Sequence, residues 1–234
     1  MSSILYMIQV YPSGLTNESR MSRTSKAFLK YAPHAKVLWI GINDGKLPET
    51  EVISNHLIIW RLKISLSPYK IPLIGRFFVL FSWFKEIVRK IKEEKIEKIV
   101  AIQSNSVFDL PLAYYLTRKF NCNLFYDAHE LETERNGLTG IHKRIDKFIE
   151  NRFIRKAAHV FVVSESIKKW YNAIYPGVPI TLIKNIPKYQ RLSLSSNNYL
   201  RSYFKIPDEN LLFLYVGTFI KGRGIEIRSQ IVIG

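Results

Sequence analysis

The chain has one cysteine, Cys122, in 234 residues, so no disulfide can form within it. It has no Asp-x-Asp, no Gly-x-Ser-x-Gly elbow and no His/Cys cluster at zinc spacing. These absences argue against a carboxylate-held metal, a serine hydrolase and a zinc site, and no metal is expected. A long apolar run is lacking too: the best candidate, Leu73 to Phe84, is shorter than the ~20 residues of a spanning helix and contains Arg76. No charged stretch with a cleavage site precedes the apolar Ile4 to Val10, and the protein is read as cytosolic. Acidic residues are scarce, 19 Asp and Glu against 35 Lys and Arg, and the net charge of +16 calls for an anionic partner. The aromatic residues are scattered through apolar segments and form no stacking platform, which disfavours nucleic acid as that partner.

What is present is a 47% hydrophobic chain, enough to bury a sizeable core. Its apolar runs and amphipathic stretches alternate. Strands are expected at about 3 to 10, Lys36 to Gly41, His56 to Trp60, Lys98 to Gln103, Asn123 to Tyr126, His159 to Val163 and Ile180 to Lys184. Helices are expected at Ser19 to Tyr31, about 73 to 95, about 107 to 119, about Gly140 to Lys156 and Ser166 to Ile174, with Asn43-Asp44-Gly45 as a turn. This alternation predicts an α/β fold with a Rossmann-like parallel sheet and helices on both faces, over residues 1–187. Residues 188–205 read as a serine-rich linker with a short helix-like Tyr199 to Phe204. Residues 206–234, with the apolar Leu211 to Val216 and a basic glycine-broken loop, read as the opening of a second α/β domain.

In an open α/β sheet, ligands bind beyond the carboxyl ends of the strands, which singles out Asp127-Ala128-His129-Glu130 after one strand and Ser164-Glu165-Ser166 after the next. His129 fits a polar turn residue or an acid/base group at a strand terminus. Glu130 is a candidate partner for it, whereas Glu132 and Glu134 read as a solvated face. Ser164 caps a helix or lines a site. Ser13, Gly14, Arg20 and Arg23 stand where the first strand gives way to the first helix, either a position that favours an anion or a plain solvent-facing helix start. Lys221 and Arg223, between glycines after an apolar run, could cradle a diphosphate or make an ordinary basic turn. The aromatic stretch Leu73 to Phe84 runs into Lys85, Arg89, Lys90 and Lys92, the composition either of a helix lying on an anionic membrane or of a core helix with a solvated end.

Several of these segments, in order along the chain, resemble the family-four glycosyltransferases of GT-B fold. The resemblance is carried by Tyr-Asp-Ala-His-Glu-Leu at 126–131, by Lys156-Ala157-Ala158-His159-Val160-Phe161-Val162-Val163-Ser164-Glu165-Ser166 and by Ile183-Lys184-Asn185-Ile186-Pro187. It continues in Tyr215-Val216-Gly217-Thr218 with Lys221-Gly222-Arg223-Gly224, and the Asn17 to Met21 turn is similar to that family's first helix start. It covers the N-terminal acceptor-side domain and the first strand and loop of the donor-side domain.

The resemblance implies a retaining, metal-independent transfer of a sugar from a nucleotide-sugar donor to a lipid-linked or polysaccharide acceptor at the inner face of a membrane. No cofactor is implied, since the nucleotide-sugar is a substrate. By position, His129 would lie near the transferred sugar, Gly14 would approach the donor phosphates, and Lys221 with Arg223 would neutralise the leaving diphosphate. Arg20, Glu130 and Ser164 are further candidates, and Lys85, Arg89, Lys90 and Lys92 would face anionic lipid. The family's second-domain Glu-x7-Glu is not found after residue 206. The expectation is therefore a truncated chain, active only with a donor domain in trans, or else a non-catalytic acceptor- or membrane-binding module.

Overall fold

The computed structural model describes residues 4–43, 45–64, 72–135, 137–186 and 198–216. They fall into two units, residues 1–185 and 186–234. In the first unit, β1 (Leu5–Val10) leads to α1 (Ser19–Tyr31), β2 (Lys36–Ile42), β3 (Thr50–Ser54), β4 (Leu57–Leu62) and α2 (Pro72–Glu93). Then follow β5 (Lys98–Ser104), α3 (Leu110–Phe120), β6 (Asn123–Ala128), α4 (Gly140–Phe153), β7 (His159–Val162), α5 (Glu165–Ile174) and β8 (Ile180–Leu182). The strands form one sheet in the order β3-β4-β2-β1-β5-β6-β7-β8. Every described pairing is parallel except that of β3, which runs antiparallel to β4.

The expected parallel sheet is therefore present, with one strand more than the sequence suggested. The stretch read as a strand from His56 begins one residue later, and the turn at Asn55 and His56 folds β3 back as an edge. β3 is almost wholly exposed and bulged between Val52 and Ser54, features that blunt an edge against further pairing.

The inner strands are buried on both faces, which explains continuous apolar runs such as Val37-Leu38-Trp39-Ile40. One face packs Ile8, Leu38, Ile102 and Val160 beneath Leu80, Trp83, Ile87 and Ile91 of α2, with α3 and α5 alongside. These α2 positions recur at helical spacing, so one stripe of that helix enters the core. The other face packs Met7, Val37, Trp39 and Ile59 against Met21 of α1. Gly41 is required where the β1–α1 loop crosses β2: a Cβ there would stand 2.4 Å from the carbonyl oxygen of Ser13.

In the second unit, α6 (Tyr199–Phe204) is closed by Lys205 in the left-handed conformation. Arg201 donates to the carbonyls of Pro207 and Asn210. The strand expected at Leu211 to Val216 takes no regular secondary structure, because no described strand offers it a ladder. Lys221 and Arg223 lie outside the described residues.

Candidate functional site

The sheet reverses its winding between β1 and β5: the chain moves from β1 outward to β2 and β4, then returns through α2 to the other side of β1. A crevice opens at such a switch point, beyond the carboxyl ends of the strands. Four segments follow the carboxyl ends of these strands: Tyr11 to Leu15 after β1, Asn105 and Ser106 after β5, His129 to Thr133 after β6, and Ser164 after β7.

Beneath the crevice runs a chain of buried polar groups. Gln9 and Gln103 are register partners on adjacent strands, and the Gln9 amide donates to Oε1 of Gln103 at 3.4 Å. Gln9 also accepts from the hydroxyl of Ser25, which accepts in turn from the indole of Trp39. Gln103 donates to Oδ1 of Asn105 at 2.8 Å and more weakly to Asp127. Asn105 donates to the Val10 carbonyl, and its backbone N–H donates to the carboxylate of Asp109. Burial raises the Asp109 carboxyl to about 7, against which the hydroxyls of Ser106 and Ser104 and the backbone amide of Asn105 act.

Asp127, at the end of β6, is 1% exposed. Arg20 holds it in a fork, its Nε donating to both carboxylate oxygens at 2.8 Å, while Nη1 donates to the carbonyl of Ile183. The guanidinium thus ties α1 to β6 and to the residue after β8. Arg23, a turn farther on, donates to the side chain of Asn185.

His129 lies two residues beyond Asp127, its Nε2 3.8 Å from Oδ2 of Asp127, too far for a hydrogen bond. That Nε2 is buried and without a hydrogen-bond partner. The Tyr11 ring stands 5.8 Å away and tilted by 34°. Burial lowers the His129 pKa, and the nearby Asp127 carboxylate opposes this, so the imidazole favours its neutral form. A neutral ring keeps one nitrogen as donor and the other as acceptor, so it can pair with a hydroxyl in either direction.

A short 3-10 turn, Glu132–Glu134, separates the three glutamates of this loop. Glu130 is exposed, and Glu134 pairs with Lys143 at 2.6 Å and Lys147 at 2.7 Å. Glu132 departs from the solvated reading: the turn swings it inward, its Oε2 finds no hydrogen bond, and the nearest cation, Arg135, is 3.7 Å away. Burial raises its carboxyl to about 7.

The remaining candidates are dispersed. Gly14 sits in the β1–α1 loop with its carbonyl accepting from Arg61 Nε at 2.6 Å, and a Cβ there would touch only the end of Leu47. Ser164 caps α5, its hydroxyl accepting from the Ile167 N–H at 3.2 Å. Lys85, Arg89, Lys90 and Lys92 lie on α2, away from the crevice. Arg89 is held by Glu86 and Glu93, and Lys90 reaches Thr50 and the ring of Trp60.

Sequence reading passed over Gln9, Gln103 and Asp109. Its missed signal was a glutamine inside each of two otherwise apolar strands, which in a doubly covered sheet must be paired. Among the described residues no three His, Cys, Asp or Glu side chains gather as a metal site. No described helix is long and apolar enough to cross a membrane.

No protein-family model matches the chain, and no curated protein matches its sequence. Solved structures do match its fold. A sucrose-phosphate synthase from Thermosynechococcus elongatus superposes with a TM-score of 0.73 at 15% identity, over 97% of this chain and 59% of that one. The Medicago truncatula glycosyltransferase UGT71G1, complexed with UDP-glucose, gives a TM-score of 0.57 at 10% identity, over 86% of this chain and 57% of its own. Arabidopsis thaliana UGT89C1, complexed with UDP-L-rhamnose, gives 0.55 at 10%, over 89% and 56%. The chain has the Rossmann-like α/β fold of these GT-B glycosyltransferases and spans about 59% of the length of the sucrose-phosphate synthase.

Proposed function

We propose that this chain is the acceptor-side part of a glycosyltransferase that moves a sugar from a nucleotide-sugar donor to a hydroxyl of a lipid-linked or glycan acceptor. The observation that carries the reading is the half-buried His129 with an unpartnered nitrogen, at the switch-point crevice of a sheet shared with nucleotide-sugar enzymes. In this reading His129 contacts the transferred sugar and Gly14 lies near the donor phosphates. Lys221 and Arg223 stabilise the departing diphosphate, and a donor-side domain completes the cleft. Retention of configuration and independence of metal belong to the same proposal, as does a cytoplasmic place on the inner face of a membrane. Arg20 acts in it as a positioning residue, since its guanidinium is committed to Asp127 and Ile183. Ser164 supports the loop as a cap.

The test is release of nucleoside diphosphate from UDP-, GDP- and ADP-sugars with a membrane extract as acceptor. It is run on the chain alone and with a donor-side domain added, for the native chain and for His129→Ala. Release that disappears in the variant supports the proposal; release that persists in it removes His129 from the chemistry. A second reading, a non-catalytic module that binds acceptor or membrane, is favoured by the exposed aromatic face of α2, and no release under any condition supports it.

A further inference from the structure

The outer surface of the helical layer carries a feature that a water-facing surface does not need. On α2, Leu73, Phe77 and Phe81 follow one another at four-residue spacing, and all three are exposed, Phe77 by 68%. The rings of Phe77 and Phe81 stack at 6.1 Å. On α3, Tyr115 is exposed beside them. Between the two helices lies a groove of about 270 Å³, lined only by apolar and aromatic side chains, among them Phe77, Leu80, Phe81, Leu112 and Tyr115. Exposed aromatic surface at a groove of this kind marks a binding face.

Both helices change character along the same stripe. Four residues after Phe81 comes Lys85, whose ammonium lies 5.4 Å from the Phe81 ring centroid. Three and four residues after Tyr115 come the exposed Arg118 and Lys119. Because α2 and α3 each precede a strand parallel to β1, they run side by side in one direction, and their cations fall at the same end. An aromatic cluster bordered by cations, on a chain of net charge +16, complements a surface that is apolar inside and anionic outside.

The helix that forms one wall of the groove is tied to the β5–α3 loop. Arg76, next to Phe77, donates to the carbonyl of Val107 at 2.8 Å and pairs with Asp146. Val107 belongs to the β5–α3 loop that carries Asn105 and Ser106. The apolar ends of α2 and α3 thus lie toward the edge of the sheet where the crevice opens.

We propose that the α2–α3 groove binds a hydrocarbon chain of a lipid, and that Phe77, Phe81 and Tyr115 enter an anionic bilayer while Lys85, Arg118 and Lys119 meet its headgroups. This deepens the lipid-linked half of the functional reading and rests on it. It also moves the membrane-facing set: Arg89 and Lys90, bound within the protein, are not part of it, and Lys85 is.

The test is co-sedimentation of the full chain with vesicles of phosphatidylcholine alone and of phosphatidylcholine mixed with phosphatidylglycerol. The native chain should bind the anionic vesicles and not the neutral ones. Phe77→Ser with Phe81→Ser should lower partition by at least about tenfold. Lys85→Gln with Arg118→Gln should lower it several-fold, and Arg89→Gln should leave it unchanged. Because every replaced side chain is exposed, thermal melting should not move. Phe81→Trp adds an optical reading, in which brominated acyl chains should quench the indole. Equal binding by the serine variant, absence of quenching, or a dimer of this chain that the serine variant abolishes would overturn the proposal. Vesicle binding is read without donor or transfer, so its failure is distinct from a failure of the transferase reading.

Discussion

Two glutamates near the end of β6 are almost equally buried, Glu150 at 0% and Glu132 at 4% exposure, and their surroundings differ completely. Three phenol hydroxyls donate to Glu150: Tyr126 at 3.0 Å and Tyr171 at 2.6 Å to Oε1, and Tyr175 at 3.0 Å to Oε2. Glu132 has an oxygen with no donor, in a loop shared with His129, whose Nε2 is equally unpartnered. A buried carboxylate with its acceptors filled is a fastening. Buried polar atoms left open at the end of a strand are groups that a ligand can fill. Burial alone does not separate the two cases; the donors do.

The sharpest way to test this contrast is to cut the fastening. Glu150→Ala removes the acceptor of three buried hydroxyls at once and should cost about 3–5 kcal/mol by denaturant unfolding. A loss under about 1 kcal/mol would mean that the tyrosines find other partners. Next in size is Arg20→Ala, which strands the Asp127 carboxylate and should cost about 3 kcal/mol, and under the proposed function it should also lower transfer because β6 loses its tie to α1.

Glu132 should behave in the opposite sense. Its carboxyl is raised from an ordinary 4.5 to about 7, so between these values the folded chain holds a proton that the unfolded chain has released. Its contribution is full below about pH 4.5 and is lost as pH rises through about 7. Glu132→Gln should therefore stabilise the protein at about pH 8 by on the order of 3 kcal/mol, and the gain should vanish toward pH 4 in melting curves. Destabilisation at pH 8 would show that the ionised carboxylate is held by donors after all. The smallest stability effect belongs to His129→Ala, within about 0.5 kcal/mol, because the ring has no hydrogen bond to lose at Nε2. A large loss of transfer with an unchanged melt would separate site from scaffold.

The sheet was legible because its strands are apolar on both faces, and α1 was legible at both ends. β3 was not: Val52 and Ile53 are adjacent rather than alternating, and an exposed edge strand leaves little hydrophobic pattern to read. The position of His129 just past the end of β6 could be read from the apolar run before it. The partner of its neighbour could not, because Arg20 is 107 positions from Asp127 and local reading pairs residues that are close in sequence. Glu132 was misread because 130, 132 and 134 alternate like a solvated face, and only the 3-10 turn shows the middle one turning inward. The basic stripe of α2 was visible as composition. That Glu86 and Glu93 already occupy Arg89 is a fact of rotamers.

The tyrosine fastening also bears on the order in which the domain assembles. Its three bonds join residues only 21 to 25 positions apart, whereas the Arg20–Asp127 pair closes a span of 107. Closing the longer loop costs roughly 1.4 kcal/mol more in chain entropy. The β6–α4–α5 segment can therefore gather around Glu150 before α1 docks, and the wall that carries His129 is built ahead of the crevice it faces. In stopped-flow experiments, substitution at Glu150 should slow refolding, while substitution at Arg20 should chiefly hasten unfolding.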